Sequence, residues 1–218
     1  MSDLHWPLFG NAKETDELSC FVKYKPGEGI WQIKIDHAIS YIIGVRRGEK
    51  SFSAIEFRGS RQFRLPGEPN IGGHLFSLAL PYRGKIEGEP KITPLASYYS
   101  GAFSIDPVLN PYIEGDSKPV PNPDPKIYKA TTWFPTNPVE VREPRNIDGL
   151  DCVVLAISPI SYDPSHLKRL RVQSLHVELT CKVEGNGEYS QGEVDESSPL
   201  VTAVVGYKEL MEALEQRK

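Results

Sequence analysis

In SLHVELTCKV, residues 174–183, Leu175, Val177, Leu179, Cys181 and Val183 fall on one face of an extended chain. His176, Glu178, Thr180 and Lys182 fall on the other. A period of two is the mark of a strand with one buried face, and it makes Cys181 a core residue. WQIKI behaves alike, with Trp31, Ile33 and Ile35 opposite Gln32 and Lys34. Further segments rich in β-branched and aromatic residues run from Cys20 to Tyr24, Ile39 to Val45, Phe52 to Phe57, Leu75 to Leu80, Tyr98 to Ile105, Ile127 to Phe134, Val139 to Arg142 and Cys152 to Ile157. That is strand composition. The strands follow one another without helical crossovers, which a parallel sheet would need. The pattern therefore predicts an all-β fold, an antiparallel β-sandwich or jelly-roll-like arrangement.

The periodicity changes near the C-terminus. EGNGEYSQGEVDESSP is polar, acidic and rich in Gly and Ser, the composition of a flexible connector. In YKELMEALEQRK, Tyr207, Leu210, Met211 and Leu214 then recur at the spacing of one apolar helical stripe, with Gly206 placed as N-cap. The expected organisation is a β-sandwich over 1–184, an acidic connector over 185–199 and an amphipathic segment with one short helix over 200–218.

Composition narrows the functions available. The 218 residues are 39% hydrophobic and 25% charged, enough for a sizeable core. A net charge of −4 leaves no basic surface for nucleic acid or anionic lipid. The longest strictly apolar run, Val153 to Ile157, is far short of the roughly 20 residues a membrane span requires. The opening MSDLHWPLFGNAKETDELSC lacks a basic stretch followed by an apolar one and does not read as a secretory signal. Three cysteines, Cys20, Cys152 and Cys181, are too scattered for a disulfide framework or a zinc site.

Catalytic chemistry finds no foothold. The five histidines show no metal-ligating spacing and none neighbours a nucleophile motif. IGGH, residues 71–74, reads as a turn into a strand. NIDGLD, residues 146–151, alternates oxygen-bearing side chains like the start of a calcium loop but lacks the distal glutamate. Cys152 opens an apolar run with no cation nearby to lower its pKa, so it reads as a small buried residue. No cofactor and no metal are expected.

One stretch reads either as a solvated Pro-rich connection or as a loop that touches a partner. From Pro107 to Pro125, six prolines fall within nineteen residues, with Lys118, Glu114 and Asp116 among them. This is a stiff, polar loop between strand-like segments.

Several short elements occur in a recognisable order: the turn Gly67 to Pro69, Tyr128 with Phe134 and Pro135, the apolar strand ending at Pro159, and the turn Tyr162 to Pro164. A last alternating strand follows. In this order and spacing the chain resembles the N-terminal propeptide domain of gingipain-type cysteine peptidases, whose catalytic domains have a caspase-like fold and a His–Cys pair. The resemblance implies a β-sandwich prodomain that assists folding of its secreted or periplasmic peptidase and blocks the cleft until it is cut away. Its partner would be the cognate peptidase catalytic domain. Lys118 would enter an acidic specificity pocket, and Pro119 would protect the Lys118–Pro119 bond. The family's blocking basic residue stands nearer the start of this region, where the present sequence reads SGAFSIDPVLNP and holds no Lys or Arg. Arg217 and Lys218, after the amphipathic segment, would be the processing site. A second reading is a stand-alone β-sandwich that binds carbohydrate or another surface through exposed aromatics such as Trp31, Tyr98, Tyr99 and Trp133.

Overall fold

A computed structural model of the chain describes residues 6–8, 19–36, 40–47, 50–57, 61–111, 114, 119–165, 168–189 and 192–216. The strands are β1 (Trp6–Leu8), β2 (Ser19–Lys25), β3 (Ile30–Asp36), β4 (Ser40–Arg47), β5 (Lys50–Phe57), β6 (His74–Ala79), β7 (Gly84–Ser100), β8 (Val139–Ile147), β9 (Leu150–Ile157), β10 (Ile160–Asp163) and β11 (Arg169–Val183). The helices are α1 (Pro125–Tyr128), α2 (Pro199–Thr202) and α3 (Tyr207–Glu215). Every strand pairing is antiparallel. Three hydrogen-bonded groups result: β1-β4-β5, β6-β9-β8, and a larger sheet in which β10 and β3 lie in succession along one edge of β11, β2 follows β3, and β7 runs along the other edge. The fold is all-β with a C-terminal helix, as the periodicity predicts. Among the described residues no helix is long and apolar enough to cross a membrane.

The long strand β11 serves two cores. Leu175, Val177, Leu179 and Cys181 enter the main core, between the larger sheet and β6-β9-β8, together with Trp31, Ile33, Leu78, Leu155 and Ile157. Leu170 and Val172 enter a second core with Ile55, Ile71, Ile105, Ile160 and Tyr162. The buried set passes from even to odd positions where the register with β7 shifts, between Ser174 and Leu175. There Ala96 faces Ser174 and Pro94 faces Leu175, so Leu95 has no counterpart and stays 48% exposed. One unpaired residue in one strand is a bulge, and it lies in β7 opposite the point where β11 passes from one core to the other. Among the described residues β7 pairs only with β11, which lets it hold Pro90 and Pro94: an edge strand needs half its donors, and prolines there discourage further pairing.

Two expectations are corrected. Ile127 to Phe134 is not a strand: Asp124 caps a helical turn by accepting from the Lys126 backbone N–H at 2.8 Å, and Pro125 fills the first helical position. Trp31 is not an exposed aromatic but lies fully buried against Tyr24, ring centroids 4.9 Å apart.

The C-terminal segment is built into the sandwich. Val205 bonds to both Ser77 and Ala79, each at 2.9 Å, and so covers the free edge of β6. Leu210 and Leu214 of the predicted stripe are buried, and Val201 and Val204 join them in the main core. The stretch expected as a connector carries contacts of its own where it is described. The Tyr189 hydroxyl donates to the Leu80 carbonyl at 2.9 Å and accepts from the Asp151 N–H at 2.8 Å, and the Asp195 N–H bonds the Asp148 carbonyl at 2.9 Å.

A proline-rich loop clasped at Gly67

The sequence-predicted site residues divide between described and undescribed positions. Lys118, Arg217 and Lys218 lie outside the described residues. Pro119 is half-buried, and the next residue, Val120, is 77% exposed. The two ends of the loop are fixed by hydrogen bonds to one short turn. At the outgoing end the Gly67 N–H donates to the Val108 carbonyl and the Val108 N–H to the Glu68 carbonyl, each at 2.8 Å. At the returning end the Asp124 N–H donates to the Gly67 carbonyl at 2.9 Å. Both groups of one peptide-flanking residue are thus spent on opposite ends of the same loop.

Only glycine suits that position. Gly67 has φ near +90°, which an L side chain rarely adopts, and an added Cβ would stand 3.1 Å from the Asn122 carbonyl oxygen. Just past the clasp, α1 anchors the returning chain. The Tyr128 hydroxyl donates to the Ile105 carbonyl at 2.9 Å, and its ring meets Tyr162 edge-on at 6.1 Å. Burial raises the Tyr128 pKa well above the ordinary phenol, and Tyr162 and Asp106 add to the effect, so the hydroxyl keeps the proton it donates.

The turn that holds the loop is part of an arm, residues 61–70, whose last residue donates its N–H to the Asp106 carbonyl at 2.8 Å and which is fastened at two further points. At one end Arg61 and Gly73 exchange backbone hydrogen bonds of 2.7 and 3.1 Å. In the middle the Arg64 side chain, only 5% exposed, reaches Glu140 on β8 at 2.7 Å and donates to the Ser158 hydroxyl. Its guanidinium lies over the rings of Phe63 at 4.7 Å and Phe134 at 5.1 Å. Between this arm and strands β6 and β8 runs a groove of about 990 Å³.

Other sequence candidates resolve into packing. Cys152 is fully buried and its thiol is pushed up to about 12 by burial and by Asp151; Cys181 is buried and pushed up to about 11. Neither is a thiolate at neutral pH. In NIDGLD, Asp148 and Gly149 form the β8–β9 hairpin turn, both at positive φ. Asn146 and Asp151 hydrogen-bond each other at 3.0 Å, and Asp148 accepts from Ser198, so these oxygens serve local structure. His74 is buried, which lowers its pKa to about 4, and the Gly73 before it packs on Phe63 and Ile157. Trp133 is half-buried and carries the Arg171 guanidinium on its face at 4.7 Å. The side chains of Tyr98 and Tyr99 lie outside the described residues.

Sequence reasoning found the proline-rich loop and missed its support. The Gly67–Pro69 turn was visible as a local signal, whereas Arg64 and Glu140 are 76 residues apart and nothing local pairs them.

No protein-family model matches the sequence, and no curated protein does. Solved structures do match. The chain is similar to a chain from the complex of the Porphyromonas gingivalis RgpB pro- and mature domains, with a TM-score of 0.64, 14% identity, and coverage of 88% of this chain and 97% of that one. It is also similar to a chain from the structure describing the zymogenic latency of gingipain K from the same organism, with a TM-score of 0.62, 13% identity, and coverage of 83% and 100%. At this identity the likeness speaks for the fold, which is that of a gingipain prodomain.

Proposed function

We propose that the chain is the inhibitory and folding-assisting prodomain of a secreted cysteine endopeptidase, and that it occupies the active-site cleft until proteolysis removes it. The observation that carries this reading is the likeness to gingipain pro-region structures over more than four fifths of the chain. The clasped loop supplies a physical means. A peptide that enters a cleft pays for its lost freedom, and prolines that fix φ near −65°, together with a clasp at both ends, reduce that loss before binding. Lys118 is the side chain proposed for the specificity pocket. The bond after it leads into Pro119, which has no N–H to offer a protease and fits poorly as the residue after the cut. Processing is assigned to Arg217 and Lys218. They follow Leu214, the last buried side chain among the described residues, so cleavage there keeps every described core side chain.

The test is an inhibition titration against the cognate cysteine peptidase catalytic domain. Replacing Lys118 by Ala is expected to weaken inhibition by roughly 30-fold or more, the size of an interface hot spot. An unchanged inhibition constant would remove Lys118 from the mechanism.

A further inference from the structure

We propose that residues 61–70 are a positioning arm that holds the two described ends of the proline-rich loop together, with Gly67 as the clasp and Arg64 as the lock. The consequence for inhibition rests on the prodomain reading; the mechanical claim does not. Three observations combine. First, Gly67 is the meeting point of both loop ends, through its N–H to Val108 and its carbonyl to Asp124. Second, no residue from 61 to 70 belongs to the buried side chains of either core, and Leu65 is 67% exposed. The arm is held instead by backbone bonds at Arg61, Gly67, Glu68 and Asn70 and by the side-chain contacts of Arg64 to Glu140, Ser158, Phe63 and Phe134, which tie its middle to β8. Third, Glu140 keeps 37% of its side chain in contact with solvent, so it stays hydrated when Arg64 is removed.

A device of this kind separates loop order from core stability. Releasing the lock lets the arm leave β8, and the loop ends lose their common anchor. The two cores, which do not include the arm, remain packed. Gly67 and Arg64 are therefore positioning residues: they touch no substrate and act through the loop.

Hydrogen exchange on the full chain, followed by mass spectrometry, tests the claim. In Gly67→Val and Arg64→Met, peptides covering 106–110 and 119–128 are expected to exchange about tenfold faster than in the parent, while peptides from β9 and β11 keep their rates. Loop peptides with unchanged rates would overturn the proposal, and so would equal acceleration in β9 and β11. Arg64→Met retains the stem and every backbone conformation, and it decides the matter if Gly67→Val does not fold. The same variants, titrated against the cognate cysteine peptidase catalytic domain, are expected to inhibit about tenfold more weakly, in step with the lost loop protection. Faster loop exchange with unchanged inhibition would uphold the arm and contradict the prodomain reading of the loop.

Discussion

A chain cut after Ser198 will not hold the sandwich together. The truncation removes Val201, Val204, Leu210 and Leu214, each no more than 6% exposed, and all four belong to the main core. At about 2 kcal/mol for each buried aliphatic side chain, the loss is about 8 kcal/mol. The whole stability of a domain is roughly 5–15 kcal/mol. Two further losses fall on the same side. Val205 leaves the edge of β6, so its backbone bonds to Ser77 and Ala79 are broken and a strand edge is bared. Gly206 leaves Trp31, which packs so tightly that a Cβ on the glycine would approach the indole to 2.7 Å. The expected result in thermal and urea unfolding is loss of a cooperative transition, with aggregation through β6. A chain ending at Gln216 retains all of these contacts and is expected to unfold like the parent.

Gly149→Ala is the single substitution expected to do most damage. The residue sits at φ near +91° in the β8–β9 turn, and an added Cβ would stand 1.6 Å from the carbonyl oxygen of Glu193. That neighbour is main chain, not the end of a flexible side chain, so it moves only if the 193–195 segment moves. Backbone strain of this kind costs about 1–3 kcal/mol and overpacking about as much again. A total of about 3–5 kcal/mol is expected, with loss of the Asp195 bond to the Asp148 carbonyl. Gly88→Ala separates the two terms. Gly88 has a similar φ, near +73°, yet an added Cβ meets nothing within 4 Å. Its substitution is expected to cost about 1 kcal/mol by urea unfolding, the conformational term alone.

Much of the architecture is legible along the chain because burial follows period two. Leu175 to Cys181 and Trp31 to Ile35 mark their strands and their buried faces without reference to anything distant. The α3 stripe is equally local. The first part of β7 is not legible, since Gly88, Pro90 and Pro94 all argue against a strand; they are admitted because β7 is an edge strand with irregular register. Ile127 to Phe134 misleads in the opposite direction. Its apolar residues suggest a strand, but the Asp124–Pro125 pair just before them is a helix start, and the local capping chemistry prevails. β10 has only four residues, too few to show a period.

The site was half readable for the same reason. Proline density exposes the loop at once, whereas its support depends on contacts between residues far apart in sequence. Gly67 holds Val108 and Asp124, and Arg64 reaches Glu140 and Ser158. Such pairings carry no local pattern, and only the folded chain reveals them.

The central claim is the proposed one, that this chain covers the catalytic cysteine of a peptidase with a loop whose two ends are clasped at Gly67. It is tested most directly by labelling the catalytic thiol of the cognate cysteine peptidase catalytic domain with an active-site-directed alkylator, with and without an equimolar amount of this chain. The account predicts that the thiol is protected at one-to-one stoichiometry, and that protection is lost when residues 109–123 are replaced by a Gly/Ser linker. Alkylation at an undiminished rate in the presence of the intact chain would contradict it.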